Sequence, residues 1–187
     1  MSKFGNTREA IQTALAHAYL GNTNTANFMD YGCPIDKSSG NASYIMATAV
    51  QMAKIRAAIS AQRPPVEAWL LLCYGPDVQA MNKGDKQRFL ADTIKQEAFS
   101  GPRSIKTAGR LLEIARTAVE DYRIGLLMGK ELPVSAYLEA TGICENNWYR
   151  DGEKYRREAL MVIKNYDNSG VGRVSIVVKE IRNSERE

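Results

Sequence analysis

Apolar residues recur at three- and four-residue intervals along almost the whole chain, and this spacing predicts an all-α protein. The longest regular stripe begins after Ser104 and lasts about six turns. Charged residues fill its other side, where Arg116 and Glu120, four residues apart, predict a solvated ion pair. Gly129 is the predicted end of this helix. The stripe consists of Ile105, Ala108, Leu111, Leu112, Ala115, Ala118, Val119, Tyr122 and Leu126.

The same reading predicts four earlier helices, so we expect a helical bundle. The segment from Val66 to Tyr74 is apolar nearly all round, which indicates a buried central helix. Thr7 is the predicted N-cap of the first helix. Residues 22–40 are polar and carry glycine and proline, so they are expected to form a loop. The predicted helices cover residues 7–20, 42–61, 66–74 and 85–99.

A division into four segments follows from these patterns. The final segment contains Arg173 to Ile181, which is rich in β-branched residues and fits either an extended strand or a helix. Its apolar residues make it a candidate surface for a partner protein or for self-association. The predicted segments are an N-terminal helical region (1–62), a central helical core (63–130), a region resembling a helix-turn-helix (131–167) and a tail (168–187).

The third segment has the outline of a helix-turn-helix. Leu132 to Thr141 reads as a short helix that begins at a proline, Gly142 fits a left-handed turn, and a second helix is expected from Glu145. The predicted buried positions of this unit are Leu138, Gly142, Ile143 and Trp148.

The exposed side of the second helix has the chemistry of a DNA-reading surface. Asparagine pairs bidentately with adenine and arginine with guanine, while lysine and arginine hold phosphates. A structural helical hairpin is the alternative, because Leu138 replaces the usual small alanine and Gly152 interrupts the second helix. The candidate DNA-binding residues are Asn146, Asn147, Tyr149, Arg150, Lys154, Arg156 and Arg157.

Charge and cysteine usage limit the remaining options. The net charge of +4 permits nucleic-acid binding without requiring it. His17 is the single histidine, and Cys33, Cys73 and Cys144 are widely spaced, so we expect no zinc, other cofactor, disulfide framework or catalytic residues. We expect no membrane segment and no signal peptide, because the N-terminus has no apolar stretch and the longest apolar run is far too short to span a bilayer.

Two blocks carry a family resemblance. The first is Pro65 to Gly75, with its W-L-L-L-C-Y-G sequence, and the second runs from Arg110 to Asp151 with a G-I-x-x-x-x-W turn. Together they resemble the Q late-gene antitermination proteins of lambdoid phages, in the branch without a zinc finger. The match covers roughly residues 65–165. Gly152 departs from it, since relatives often carry an aromatic residue there, and so does the short N-terminal extension.

The resemblance implies a function without covalent chemistry. Proteins of this family bind double-stranded DNA near the phage late promoter, join paused host RNA polymerase through its primary sigma factor, and make it read through terminators. It also implies the host bacterial cytoplasm as the location. The alternatives are a helix-turn-helix repressor or activator that does not travel with polymerase, then a packaging or assembly subunit, and last an enzyme.

Overall fold

The computed structural model describes residues 6–20, 39–76, 80–99 and 105–184, and within these ranges every regular element is a helix. The all-α prediction is therefore confirmed. The predicted loop at 22–40 lies outside the described residues except at Ser39 and Gly40, which begin a helix. The helices are α1 (Thr7–Leu20), α2 (Ser39–Ser60), α3 (Pro64–Tyr74), α4 (Ala80–Ala98), α5 (Ile105–Met128), α6 (Val134–Thr141), the single turn α7 (Glu145–Asn147), a π-helical turn (Trp148–Gly152) and α8 (Glu153–Ser184).

Local chemistry sets the helix ends. Asn6, and not Thr7, caps α1, because its side-chain Oδ1 accepts a hydrogen bond from the backbone N–H of Glu9 at 2.9 Å. α3 begins at a proline, as predicted. Gly129 and Gly142 follow α5 and α6 with φ of 66° and 61°, a left-handed conformation that glycine adopts without strain. Both glycine stops were predicted correctly.

The hydrophobic core is built around α3. Trp69 and Leu70 are fully buried, as expected for a helix that is apolar nearly all round. α8 packs against α1, α2, α3, α4 and α5, so it is the element that joins the bundle. Gly170 lies where α8 crosses α3, and a Cβ there would meet the Leu70 side chain at 3.0 Å. The two helices therefore approach closely at this point.

The tail is a helix and not a strand. α8 continues without interruption for 32 residues, so the proposed boundary at 167/168 falls inside it. Val174, Val178 and Ile181 are buried in the core. Ile176 is the large apolar residue that stays exposed in this stretch, at 58%. Most of the predicted partner surface on the tail is therefore internal packing.

A buried carboxylate joins three helices. Asp167 on α8 is fully buried and accepts hydrogen bonds from the Trp69 indole at 3.1 Å, the Tyr74 hydroxyl at 2.7 Å and the Arg8 guanidinium at 2.7 Å. Burial, with the hydrogen bond to Asp167, raises the pKa of Tyr74. The hydrogen bond to Asp167 raises the pKa of Arg8. A buried charge needs this complete set of partners.

The charged side of α5 pairs differently from the prediction. The Arg116 Nη1 lies 3.5 Å from the Glu113 Oε1, and the Arg123 Nη1 lies 3.4 Å from the Glu120 Oε1. Both pairs are three residues apart, a spacing that also brings helix side chains together. The predicted pairing of Arg116 with Glu120 was therefore wrong.

Candidate DNA-binding site

The candidate site is the segment that follows the left-handed turn at Gly142. The Gly142 backbone N–H donates to the Leu138 carbonyl at 2.9 Å, which closes α6. The Thr141 hydroxyl accepts from the Ile143 N–H at 3.3 Å and directs the chain out of the turn. The second helical segment begins at Glu145, as predicted. A helix, a glycine turn and a second helix are therefore present, while their function as a helix-turn-helix stays a prediction.

The buried side of this unit is shifted from the predicted positions. Trp148 and Tyr137 are fully buried, and Thr141 is buried beside them. Leu138 and Ile143 are half-buried and pack against the core, whereas Gly142 is exposed, so the prediction for Gly142 was wrong. The shift has a simple cause: α6 turns Tyr137, one residue before Leu138, toward the Trp148 ring, at a centroid distance of 5.2 Å.

A π-helical turn connects α7 to α8. It spans Trp148 to Gly152 and places Gly152 under the Trp148 indole, where an added Cβ would come within 2.8 Å of Cδ2. Real Cβ atoms essentially never approach so closely. Gly152 therefore makes room for the tryptophan, which gives a structural reason for the glycine that interrupts the predicted helix. π-turns occur frequently at functional sites.

A second buried carboxylate, Asp121 on α5, holds the unit to the bundle. Its Oδ2 accepts from the Tyr137 hydroxyl at 2.7 Å and from Arg156 at 3.0 Å, and its Oδ1 accepts from the Leu132 backbone N–H at 2.6 Å. Burial, with the hydrogen bond to Asp121, raises the pKa of Tyr137. Asp121 thus fixes α6 and the start of α8 relative to α5.

Arg156 belongs to this internal network. Its side chain is 12% exposed, reaches Asp121 and Glu131, and lies over the Tyr137 ring at 5.2 Å from the centroid. In this arrangement its guanidinium is bound to carboxylates, and a contact between Arg156 and a DNA phosphate stays a prediction. The sequence predicted a phosphate contact for Arg156, because nothing around it in the sequence indicates that Asp121 lies beside it in the folded protein.

The other candidates lie at the surface. Tyr149 is 63% exposed, and Asn146, Asn147, Arg150, Lys154 and Arg157 are exposed as well. We call these six residues the polar face. Its cations have carboxylate neighbours, as three pairs show. The Arg150 Nε lies 2.9 Å from the Asp151 Oδ2, and the Arg157 Nε lies 3.5 Å from the Glu153 Oε1. The Lys154 Nζ lies 3.9 Å from the Glu158 Oε1.

A family model supplies the identification. The model described as "Phage antitermination protein Q" matches residues 35–186, which includes both buried carboxylates and the whole polar face. The chain belongs to this family. No match was found among curated proteins or among solved structures.

Membership makes the chain a phage antitermination factor, a regulator of transcription. The matched range extends beyond the region of resemblance, which ended near residue 165, and takes in all of α2 and α8. Arg8, which completes the partners of Asp167, precedes the matched range.

Sequence reasoning missed the groups that position the candidate site. Neither Asp121 nor Tyr137 was assigned a role. One signal was available: Asp121 borders the apolar stripe of α5, directly before Tyr122 and two residues after Val119. An acidic residue at the edge of such a stripe indicates a buried partner.

Cysteines and metal ligands give no further site in the described part of the chain. No group of three or more histidine, cysteine, aspartate or glutamate residues there could hold a metal ion. Cys73 is buried, and burial raises the pKa of its thiol to about 12. Cys144 is an exposed free thiol at the turn. Among the described helices, none is long and apolar enough to cross a membrane.

Proposed function

We propose that this antitermination factor depends on DNA: it binds double-stranded DNA near the phage late promoter, joins the host RNA polymerase paused there, and makes the enzyme read through terminators. Membership of the family is the evidence for antitermination. The observation that supports DNA dependence is the polar face. It presents two asparagines and an arginine to solvent after the turn at Gly142, while Trp148 of the same segment is buried in the core. We further propose that the factor acts by binding alone and is not an enzyme.

The proposed contacts follow from side-chain chemistry. Asn146 and Asn147 would pair with adenine edges, and Arg150 would pair with guanine in the major groove. Lys154 and Arg157 would hold phosphates and set the register. Arg156 is left out of this set because Asp121 and Glu131 already occupy its guanidinium.

Antitermination also requires a polymerase contact, because a factor that only occupies DNA leaves the elongating enzyme unchanged. The charged side of α5 around Arg116 and the exposed part of α8 around Ile176 are the proposed surfaces, with the primary sigma factor as the first contact. Truncation after Asp167 cannot test the second surface, because it removes core residues of α8. Replacing Ile176 with serine is the better test, since that side chain is 58% exposed.

The deciding experiment is transcription with purified polymerase from the late promoter of the encoding phage across an intrinsic terminator. We expect more full-length transcript when the factor is added, and only when the promoter-proximal DNA is present in cis. Arg150→Ala should lower read-through by weakening binding to that DNA, whereas Ile176→Ser should lower read-through and leave DNA binding unchanged.

Two results would redirect the proposal. Lower initiation with unchanged termination would favour a repressor. Read-through that does not depend on the DNA in cis would separate antitermination from DNA binding and leave the polar face without this function.

A further inference from the structure

Arg150 and Asp151 form a pair whose geometry leaves one edge of the guanidinium open. The Arg150 Nε donates to the Asp151 Oδ2 at 2.9 Å, and both side chains are well exposed, at 70% and 57%. No hydrogen bond from the two terminal nitrogens of Arg150 to another described residue is formed. The donor edge made by those two nitrogens therefore faces solvent while Nε is held.

That edge is suited to guanine. Bidentate recognition of guanine O6 and N7 needs two parallel N–H donors in one plane. A guanidinium that is already held through Nε loses fewer conformations when it binds than a free one does. Asp151 thus prepares Arg150 for a base contact without occupying the atoms that would make it.

Asp151 also has an effect of the opposite sign. It places a negative charge on the polar face, where phosphates would approach, and Glu153 and Glu158 do the same beside Arg157 and Lys154. Binding to DNA of any sequence is driven mainly by phosphate neutralisation. The carboxylate therefore weakens binding to DNA that offers no guanine at the right place.

We propose that Asp151 is a specificity-determining residue, which positions Arg150 for a guanine in the preferred DNA site and repels DNA of other sequences. This rests on the proposed DNA binding of the polar face. It assigns to Asp151 a positioning function through Arg150, and it predicts that removing the charge changes the two affinities in opposite directions.

The test uses two fluorescent duplexes. One is selected by the wild-type protein from a library with 20 randomised base pairs, and the other has the same base composition in scrambled order. In Asp151→Asn, affinity for the selected duplex should fall about threefold, the scale of an exposed pair, while affinity for the scrambled duplex rises about twofold. Thermal melting should stay unchanged, because the side chain is exposed.

Two control variants carry the same charge change. Glu158→Gln removes the carboxylate near Lys154 and should raise affinity for both duplexes alike. Glu180→Gln alters an exposed residue on the same helix, about 33 Å further along, and should change neither affinity. In an Arg150→Ala background, Asp151→Asn should no longer weaken the selected duplex, although it should still strengthen the scrambled one.

Each other outcome counts against the proposal. Equal changes on both duplexes would make Asp151 a simple repulsive charge, and a loss on the selected duplex that persists in Arg150→Ala would give it a structural role. If the wild-type protein selects no duplex, the proposed DNA binding itself fails and Asp151 loses its function with it. If the wild type selects a sequence and Asp151→Asn behaves like Glu158→Gln, only the Asp151 proposal fails.

Discussion

Trp69 and Asp167 are 98 residues apart in the sequence, yet the indole nitrogen of the first donates a hydrogen bond to the carboxylate of the second at 3.1 Å. Tyr74, the other aromatic residue of the α3 motif, donates to the same oxygen at 2.7 Å. The motif therefore supplies two hydrogen-bond donors to one buried charge. This accounts structurally for the tryptophan and tyrosine in the first block of the family resemblance.

Removing that charge should destabilise the fold strongly. We expect Asp167→Ala to lower the free energy of unfolding by about 3–5 kcal/mol, because Arg8, Trp69 and Tyr74 lose their shared acceptor. Urea denaturation followed by circular dichroism measures this. Asn168→Ala, at the adjacent exposed position, is the control and should change stability little. Similar midpoints for the two variants would contradict the network.

Two adjacent arginines should separate structure from binding. Arg156→Ala is expected to lower the free energy of unfolding by about 3 kcal/mol, because Asp121 stays buried without its cation. Arg157→Ala should leave stability within about 1 kcal/mol, since its ion pair is exposed. It should instead reduce the salt dependence of DNA binding by about one unit of slope. A stable Arg156→Ala protein with weakened DNA binding would show instead that Arg156 contacts DNA.

Two helical glycines should respond oppositely to alanine. Gly152→Ala places a Cβ against the Trp148 ring and should destabilise the protein by about 1–3 kcal/mol. Gly172→Ala meets nothing within 4 Å and should stabilise α8 by about 0.5–1 kcal/mol. Thermal melting of both variants tests this. A neutral Gly152→Ala would mean that the π-turn relaxes without resistance.

Stability should fall in alkaline solution. Burial raises the pKa of Cys73 to about 12 from its ordinary 9.0, and it raises the pKa of Tyr74 and Tyr137 above 10.0. The unfolded chain therefore releases these protons at lower pH than the folded chain does. The free energy of unfolding should therefore keep its full value below pH 9. Above pH 9 it should fall by about 1.4 kcal/mol per pH unit for each group that is ionised in the unfolded chain but not in the folded one.

Urea midpoints measured from pH 7 to 11 check this decline. In Cys73→Ala the decline should begin about one pH unit later, where the tyrosines begin to ionise in the unfolded chain. Constant midpoints up to pH 11 would show that these groups reach water in the folded protein.

The sequence predicted the long helices well, because a stripe such as that of α5 repeats one signal over many turns. It was ambiguous for residues 173–181, since β-branched residues at helical spacing fit either structure until a partner surface is known. In the folded protein Val174, Val178 and Ile181 face the core, and this packing decides for the helix. Tertiary contacts of this kind leave no local signal.

For the candidate site, the sequence predicted the order of elements and residue types more reliably than the surroundings of each side chain. The order of helix, glycine turn and second helix was correct, and so was the burial of Trp148. Arg156 and Arg157 look alike in the sequence, but one lies against Asp121, 35 residues earlier, and the other lies in solvent. Only the crossing of α5 and α8 distinguishes them.

Under the proposed function, the uninterrupted α8 limits the spacing between the DNA element and polymerase. Lys154 and Ile176 lie on one rigid rod, about 33 Å apart along its axis, which is close to ten base pairs of B-form DNA. A protein anchored to its DNA element at the first residue can touch polymerase with the second only within that reach. Moving the element by five base pairs would also turn it to the opposite side of the duplex. The factor should therefore lose read-through when the element is moved by five base pairs, and moving it by a full turn should not restore read-through, because ten base pairs span the whole distance between the two residues.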